Sequence, residues 1–310
     1  MAYHTTPYLL LFLPAALLFY QITPAKWRSY TLLIFSYLFF WSFSEKLIIY
    51  LIGTTFLTHR IWMDTMDKRD KRKKRVFQLG ILLLLGTILC LKYRNFFFGN
   101  VSKLAMVLHI DWSYQDQLIF LPIGISFYTL SAIGYMADVY WGKVKAEYSL
   151  VKTALFLGFF PVIVEGPICR WEDVEDTLFK NESVKAENVF KGCYRIIWGL
   201  FKKMIIADRL AVLVDKVYVG YESYSGAVIV AAAISYTIQL YMEFSGCMDM
   251  VIGSAGLFGI RLPENFSQPF FAKTCTDFWK RWHITLGVWF KNYIFYPVSI
   301  SKTARKWNKF

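Results

Sequence analysis

The sequence predicts an all-α fold: a polytopic transmembrane helical bundle with re-entrant and amphipathic surface helices. Composition is the first reason. Of 310 residues, 56% are hydrophobic and 19% aromatic, and the mean hydropathy is +0.38. Soluble proteins lie near 45–50% apolar by a count that includes glycine and omits tyrosine, so the excess matters only with the second observation. That observation is a series of apolar runs approaching the ~20 residues a helix needs to cross the hydrocarbon. Third, the runs are continuous rather than alternating. This excludes a barrel and leaves helices as the way to satisfy backbone polar groups in lipid.

The elements follow in order. Tyr8 to Ile22 reads as a short first span carrying Pro14. It lacks a basic n-region and a small-residue cleavage site, so it reads as retained rather than cleaved. A loop at Pro24–Arg28 leads to a span from Tyr30 to Phe43, a break at Ser44-Glu45-Lys46, and a span from Leu47 to Leu57. The strongest charge run, Lys68 to Arg75, reads as the next loop, followed by a span from Val76 to Leu91. Basic residues mark cytoplasmic loops. With Lys68–Arg75 inside, counting back through three spans also puts Lys26 and Arg28 inside and the N-terminus outside. A nucleic-acid role for the run is disfavoured by its place between two spans, and no nucleic-acid partner is expected. The net charge of +13 reads the same way, as basic loops facing the anionic lipid of the bilayer.

Asn95 to Gln117 reads as a polar and aromatic outer connection, and Leu118 to Tyr140 as an apolar run broken by Pro122, Gly124 and Gly134. Leu150 to Val164 ends on Phe159-Phe160-Pro161 and Glu165-Gly166-Pro167. This predicts a re-entrant or broken helix buried in protein, because nonhelical backbone at membrane depth must be covered or line a cavity. Arg170 to Asn188 is charged and amphipathic, a surface helix pair or cytosolic loop. Val189 to Val219 is apolar with Lys202, Lys203, Asp208, Arg209 and Asp215 embedded, which suggests a tilted or interfacial helix. Gly226 to Ile260 is a long apolar run containing Glu243 and Asp249, and Ile284 to Ile300 is the last run. There is no internal repeat, which argues against an inverted-repeat transporter.

Between the last two runs lies Asp277-Phe278-Trp279-Lys280-Arg281-Trp282-His283-Ile284-Thr285-Leu286. On a helix, Trp279, Trp282, His283 and Leu286 share one face, so indole rings wall the histidine. Asp277 lies four residues before Arg281, the spacing of an ion pair. Charged groups at membrane depth cost at least ~2.5–3.5 kcal/mol each and usually serve a purpose. An imidazole there suits proton transfer near neutral pH. The other reading is an interfacial anchor, since tryptophan and basic residues crowd membrane surfaces without chemistry.

Three ordered stretches resemble the membrane-bound O-acyltransferase (MBOAT) family, in particular its bacterial alginate O-acetyltransferase-like branch. The first runs from Leu121-Pro122-Ile123-Gly124 to Asp138-Val139-Tyr140 and joins Phe159-Phe160-Pro161 and Gly166-Pro167-Ile168-Cys169-Arg170. The second is Glu243-Phe244-Ser245-Gly246-Cys247-Met248-Asp249-Met250 with Pro263-Glu264-Asn265-Phe266. The third is the histidine segment followed by Tyr293-Ile294-Phe295-Tyr296-Pro297. The resemblance implies one MBOAT-like membrane domain over 1–310, with N-terminal spans at 1–91 and a core at 92–310 whose C-terminal part is missing. It implies a tunnel through a thinned membrane region of a bacterial plasma membrane. It implies no bound cofactor and an acyl thioester, acetyl-CoA or an acyl carrier, as the donor substrate. The acceptor it implies is a hydroxyl of an envelope polysaccharide, with an extracytoplasmic acyltransferase partner protein. His283 matches the earlier of the family's two histidines. The later one, in a Leu-Trp-His-Gly setting, is absent from this sequence, which stops at Trp307-Asn308-Lys309-Phe310. A fragment or natural truncation, inactive alone, is therefore expected.

Acyl transfer to an alcohol needs a base, oxyanion donors and exclusion of water. His283 is the catalytic candidate, with a supporting role favoured over that of main base. Asn265 is a candidate hydrogen-bond donor, or a cap. Asp249 and Glu243, six residues apart, read first as partners of basic residues. Arg170 reads as holding a carboxylate, a phosphate or a loop end. Trp279 and Trp282 are the expected walls. Glycines 246, 253, 256 and 259 read as close-packing positions. His4, His59 and His109 form no constellation. The five cysteines lack metal spacing, and neither a disulfide framework nor a metal site is expected. The alternatives are a D-alanyl transferase for teichoic acid and, from another class, a transporter or pore without chemistry.

Overall fold

The computed structural model describes residues 2–66, 70–115 and 124–300. Helices dominate them. The only β pairing among the described residues is an isolated antiparallel bridge between Phe266 and Trp282. Among the described residues three helical stretches are long and apolar enough to cross a membrane: Ala25–Ile61, Arg72–Lys92 and Gly226–Leu257. The all-α membrane bundle expected from the sequence is what the chain forms.

Helix α1, Pro7–Ile22, is shorter. It opens with a π-helical turn, Pro7–Phe12, before the α-helical Leu13–Ile22. Pro14 is the second residue of the α-helical part; its missing N–H fits near the point where the hydrogen-bond register changes. Helices α2 (Arg28–Ser44) and α3 (Ile48–Met66) are separated at Glu45, whose φ of 42° breaks the helix at the expected place. Rings of Tyr3, Tyr8, Phe12, Phe39 and Phe160 pack into one aromatic cluster with centroid separations of 5.3 to 6.5 Å. Such pairs contribute about 0.5–1.5 kcal/mol each beyond area burial.

Two connections expected to be loops are helical. Helix α4 spans Asp70–Lys92, so residues 70–75 of the charge run are its first turns; positions 67–69 lie outside the described residues. Lysine and arginine are good helix formers, and the apolar run behind them propagates the helix. Lys73 reaches over the ring of Tyr140 at 5.6 Å, so its stem packs while its charge stays at the end of the bundle. Helix α5, Arg94–Val107, occupies most of the supposed outer connection. Tyr114 holds it, its hydroxyl donating to Asn95 Oδ1 at 2.8 Å. Leu121-Pro122-Ile123 lie outside the described residues. Helix α6, Ile125–Tyr140, begins after Gly124. Gly124 has φ 76°, and a Cβ there would lie 1.7 Å from the Ile163 carbonyl oxygen.

Helix α7 is only nine residues, Leu150–Gly158. The chain then turns without helix through Phe159–Pro167 while Phe159, Phe160 and Ile163 stay buried. This is the broken helix anticipated from the two prolines. Its backbone is satisfied by protein: Phe160 N–H donates to Ser36 Oγ at 3.0 Å, and the Phe160 carbonyl accepts from Tyr3 OH at 3.0 Å. Unpaired, each group would cost several kcal/mol in an apolar interior.

Arg170–Asn188 contains one complete helix, α8, Trp171–Leu178, and the first residues of the next. Helix α9 (Ala186–Leu200), a π-helical turn (Phe201–Ala207) and α10 (Asp208–Val219) then run on continuously. Helix α11, Gly226–Leu257, is the longest at 32 residues. At 1.5 Å per residue it measures roughly 48 Å, longer than the ~30 Å hydrocarbon core. Helices α9 and α11 meet at glycines. A Cβ on Gly199 would lie 2.5 Å from the Gly246 carbonyl, and one on Gly253 would lie 2.8 Å from the Gly192 carbonyl. Gly246 and Gly253 thus match the close packing expected of them. Gly256 faces open space, and Gly259, at φ 75°, ends the helix. The far side of α9 exposes Phe190, Tyr194 and Ile197, an amphipathic stripe at spacings of four and three.

Candidate functional site

The histidine segment is not one helix. Helix α12 (Cys275–Arg281) ends at Arg281, Trp282 is extended, His283 takes the left-handed conformation at φ 46°, and α13 (Ile284–Phe290) starts afresh. The expected shared face of Trp279, Trp282 and His283 therefore does not exist. Contacts distant in sequence impose the break. Trp282 bridges to Phe266, Ser267 N–H donates to the Arg281 carbonyl at 3.0 Å, and Ile284 N–H donates to the Asn265 carbonyl at 3.0 Å. These replace helical hydrogen bonds, so the left-handed residue, costing ~1–2 kcal/mol, is tolerated.

The rings move accordingly. Trp279 is 65% exposed and walls nothing. Trp282 sits among Phe266, Phe278, Tyr241 and Phe270, at centroid distances of 5.1, 5.6, 6.1 and 6.5 Å. The ring against His283 belongs to Phe244 of α11, edge-to-face at 4.9 Å. Within α12 the expected ion pair forms: Arg281 Nε lies 2.9 Å from Asp277 Oδ1. Thr274 Oγ caps α12 by accepting from Asp277 N–H at 3.1 Å.

Asn265 organises the site. Its side chain is fully buried. Oδ1 lies 3.2 Å from His283 Nδ1, 3.1 Å from Thr285 N and 2.8 Å from Thr285 Oγ, while Nδ2 lies 3.3 Å from Met248 Sδ. Thr285 Oγ also accepts from Ile168 N–H at 3.1 Å. One buried amide thus ties α11, the Pro263–Phe266 stretch, α13 and the Gly166–Arg170 loop together. Asn265 meets His283 chiefly through its oxygen, so it serves here as an acceptor rather than a donor. Farther along, Trp289 Nε1 donates to the Leu130 carbonyl at 2.9 Å, and Tyr293 OH bonds the Asp138 carboxylate, fastening the segment to α6.

Asp249 and Glu243 lie on the side of α11 that faces α9, away from His283. Asp249 accepts from Arg195 Nε at 3.0 Å and Lys202 Nζ at 2.6 Å, and Arg195 also grips Glu264 with both terminal nitrogens at 2.7 and 2.6 Å. Glu243 pairs with Lys203 at 2.6 Å, which also holds Asp208 at 2.8 Å. Arg170 is bound to Asp173 and Glu172 at the start of α8, where Asp173 accepts from the Arg170 backbone N–H at 3.1 Å. All three are held as ion-pair partners, and only Asn265 is brought against His283. Sequence reasoning gives no role to Thr285, Phe244 or Met248. Thr285 carries the one available signal, a hydroxyl in the first turn after the histidine.

A polar groove of about 780 Å³ lies elsewhere, lined by residues including Lys180, Glu182, Lys191, Arg195 and Arg261. Its charges are largely self-paired: Glu182 joins Lys180 at 2.8 Å and Lys185 at 3.0 Å. Between these two ammonium groups its carboxyl falls to about 2.

The probable alginate O-acetylase AlgI of Pseudomonas aeruginosa is 33% identical over 95% of this chain and 56% of its own length. The peptidoglycan O-acetyltransferase of Helicobacter pylori is 30% identical over 96% of this chain and 61% of its own. The teichoic acid D-alanyltransferase of Bacillus subtilis is 30% identical over 60% of this chain and 48% of its own. The chain spans about three fifths of the length of the first two relatives. The model of the membrane-bound O-acyltransferase family matches residues 143–310. That is more than half of the chain and takes in Asn265, His283 and α11. With its apolar helices, this is a membrane protein, and it belongs to the membrane-bound O-acyltransferase family.

Proposed function

We propose that the whole protein is a multi-pass membrane O-acyltransferase of a bacterial plasma membrane, with residues 1–310 forming one membrane domain. It moves an acyl group, acetyl in this reading, from a cytosolic thioester to a hydroxyl of an envelope polysaccharide. The donor is acetyl-CoA or an acyl carrier. Because the acceptor lies outside the cytoplasm, an extracytoplasmic acyltransferase partner belongs to the same reading. The observation that carries the proposal is His283 on its buried Asn265 support, inside the stretch that matches the family. Coverage supports acetyl over D-alanyl: the two O-acetyl relatives align with nearly the whole chain, the D-alanyl relative with 60%.

In the reaction the acceptor oxygen attacks the thioester carbonyl, the hydroxyl proton passes to a base, and the thiolate leaves and is protonated. His283 takes a supporting part, accepting a hydrogen bond that orients the hydroxyl. Asp249, Glu243 and Arg170 serve by holding the helices that frame it. The test is H283A assayed in membrane vesicles with labelled acyl donor, at equal protein level. A loss of about 10²-fold or more is expected. Unchanged O-acylation would reduce His283 to a structural residue. Mass analysis of the group released from the polymer by mild base decides between acetyl and D-alanyl.

A further inference from the structure

The hydrogen bonds around Asn265 determine which nitrogen of His283 carries the proton. Thr285 N–H can only donate, so the Asn265 atom 3.1 Å away is the carbonyl oxygen. Thr285 Oγ accepts from Ile168 N–H and gives its single proton to the same oxygen at 2.8 Å. An amide NH₂ in that position would meet the Thr285 N–H donor to donor, so the flipped orientation is closed. The third group on this oxygen is His283 Nδ1 at 3.2 Å. An oxygen already serving as acceptor requires that nitrogen to be the donor.

We infer that Asn265 is a positioning residue that locks His283 as the Nδ1–H tautomer, leaving the Nε2 lone pair as the working face of the ring. This rests on the reading of His283 given above and deepens it. Among the described residues Nε2 makes no hydrogen bond. A carboxylate in the place of Asn265 would also hold Nδ1–H, but it would stabilise the imidazolium. An amide orients the ring without adding charge. The lock therefore suits a histidine that accepts a hydrogen bond from a hydroxyl or another imidazole, more than one that stores a proton. Thr285 completes the device, since its hydroxyl fixes the amide and anchors it to the Ile168 backbone. Restraint of this kind, on a ring that binds through its other nitrogen, is how outer hydrogen bonds commonly set histidine tautomers.

The experiment is ¹⁵N spectroscopy of histidine-labelled protein in lipid vesicles, on the alkaline side of the ring's titration. The His283 signals are assigned by their loss in H283Q. The expected spectrum shows Nδ1 protonated and Nε2 unprotonated, as one tautomer. N265D, which keeps an acceptor, retains that pattern, and N265L moves the proton to Nε2. A wild-type proton on Nε2, or an inserted N265L that keeps Nδ1–H, overturns the lock. Where N265L fails to insert, N265D decides: loss of its Nδ1 proton overturns the assignment. The spectrum needs no acyl transfer. An intact lock alongside undiminished activity of H283Q would therefore refute the functional reading and leave the tautomer assignment standing.

Discussion

Removing Asp249 should destabilise this protein far more than removing Glu264, although both carboxylates hold the same arginine. The Asp249 side chain is 13% exposed and its partner Lys202 14%, whereas Glu264 is 54% exposed. In D249L, Lys202 loses its acidic partner with its ammonium 2.6 Å from where the carboxylate stood. Breaking a buried pair from one side costs about 3–5 kcal/mol, because the surviving charge stays out of water. The ring of Trp198, 5.7 Å from Lys202 Nζ, is there before and after the change, so it does not offset the loss. A loss of about 3–5 kcal/mol is expected. In E264Q, Arg195 keeps Asp249, and a half-exposed pair is worth less than ~1 kcal/mol. The double variant D249L/K202M removes both charges and should recover most of the loss. The assay is the unfolding free energy in mixed micelles for each variant and the double-mutant cycle. If E264Q costs as much as D249L, or the double variant is no better than D249L, the argument from burial is wrong. Acyl transfer regained together with stability in the double variant would assign Asp249 to pairing alone.

The glycine seam gives a matched pair of substitutions. G199V should lower the detergent melting temperature by an amount equivalent to about 1–3 kcal/mol or more, because its Cβ would sit 2.5 Å from the Gly246 carbonyl, while G256A, with nothing within 4 Å, should be neutral or stabilising. A thiol placed at the exposed position 72 in a cysteine-free background should label from the cytoplasmic side only; labelling from outside in intact cells would invert the topology. Glu182 should titrate near about 2 by carboxyl NMR and return toward 4.5 in K180A/K185A. A depressed carboxylate adds stability above its unfolded pKa that is lost as pH falls through the folded value, so any contribution of this cluster fades between about 4.5 and 2.

Periodicity and composition made the apolar helices legible, and prolines made the break after α7 legible. Local signals also gave the Asp277–Arg281 pair and the turn at Glu45. What stayed hidden depended on partners far along the chain. Asp277 to Leu286 has no glycine or proline, so local propensity reads through it as one helix. The break at Trp282–His283 is imposed by Asn265 and Phe266, sixteen or more residues earlier. The Lys68–Arg75 run reads as a loop for the opposite reason: charge marks the membrane boundary, but lysine and arginine do not stop a helix. Sequence alone made His283 and Asn265 candidates, through residue chemistry and the family resemblance. It could not show that one touches the other while Glu243, Asp249 and Arg170 are engaged elsewhere.

The placement of those charges follows from the seam. Carboxylates on α11 would face lipid or each other unless cations from a neighbouring helix reach them, and charge at membrane depth is tolerated only when paired or wet. Gly199 and Gly246 let the backbones of α9 and α11 approach until a Cβ would clash. Lys202 and Lys203 follow Gly199 by three and four residues, and they meet Asp249 and Glu243, which lie three residues to either side of Gly246. A bulkier residue at either glycine would separate the helices and draw the pairs apart together. Close packing and charge pairing are therefore one construction, and it fixes the helix from which Phe244 and Met248 reach the His283 site on the opposite side.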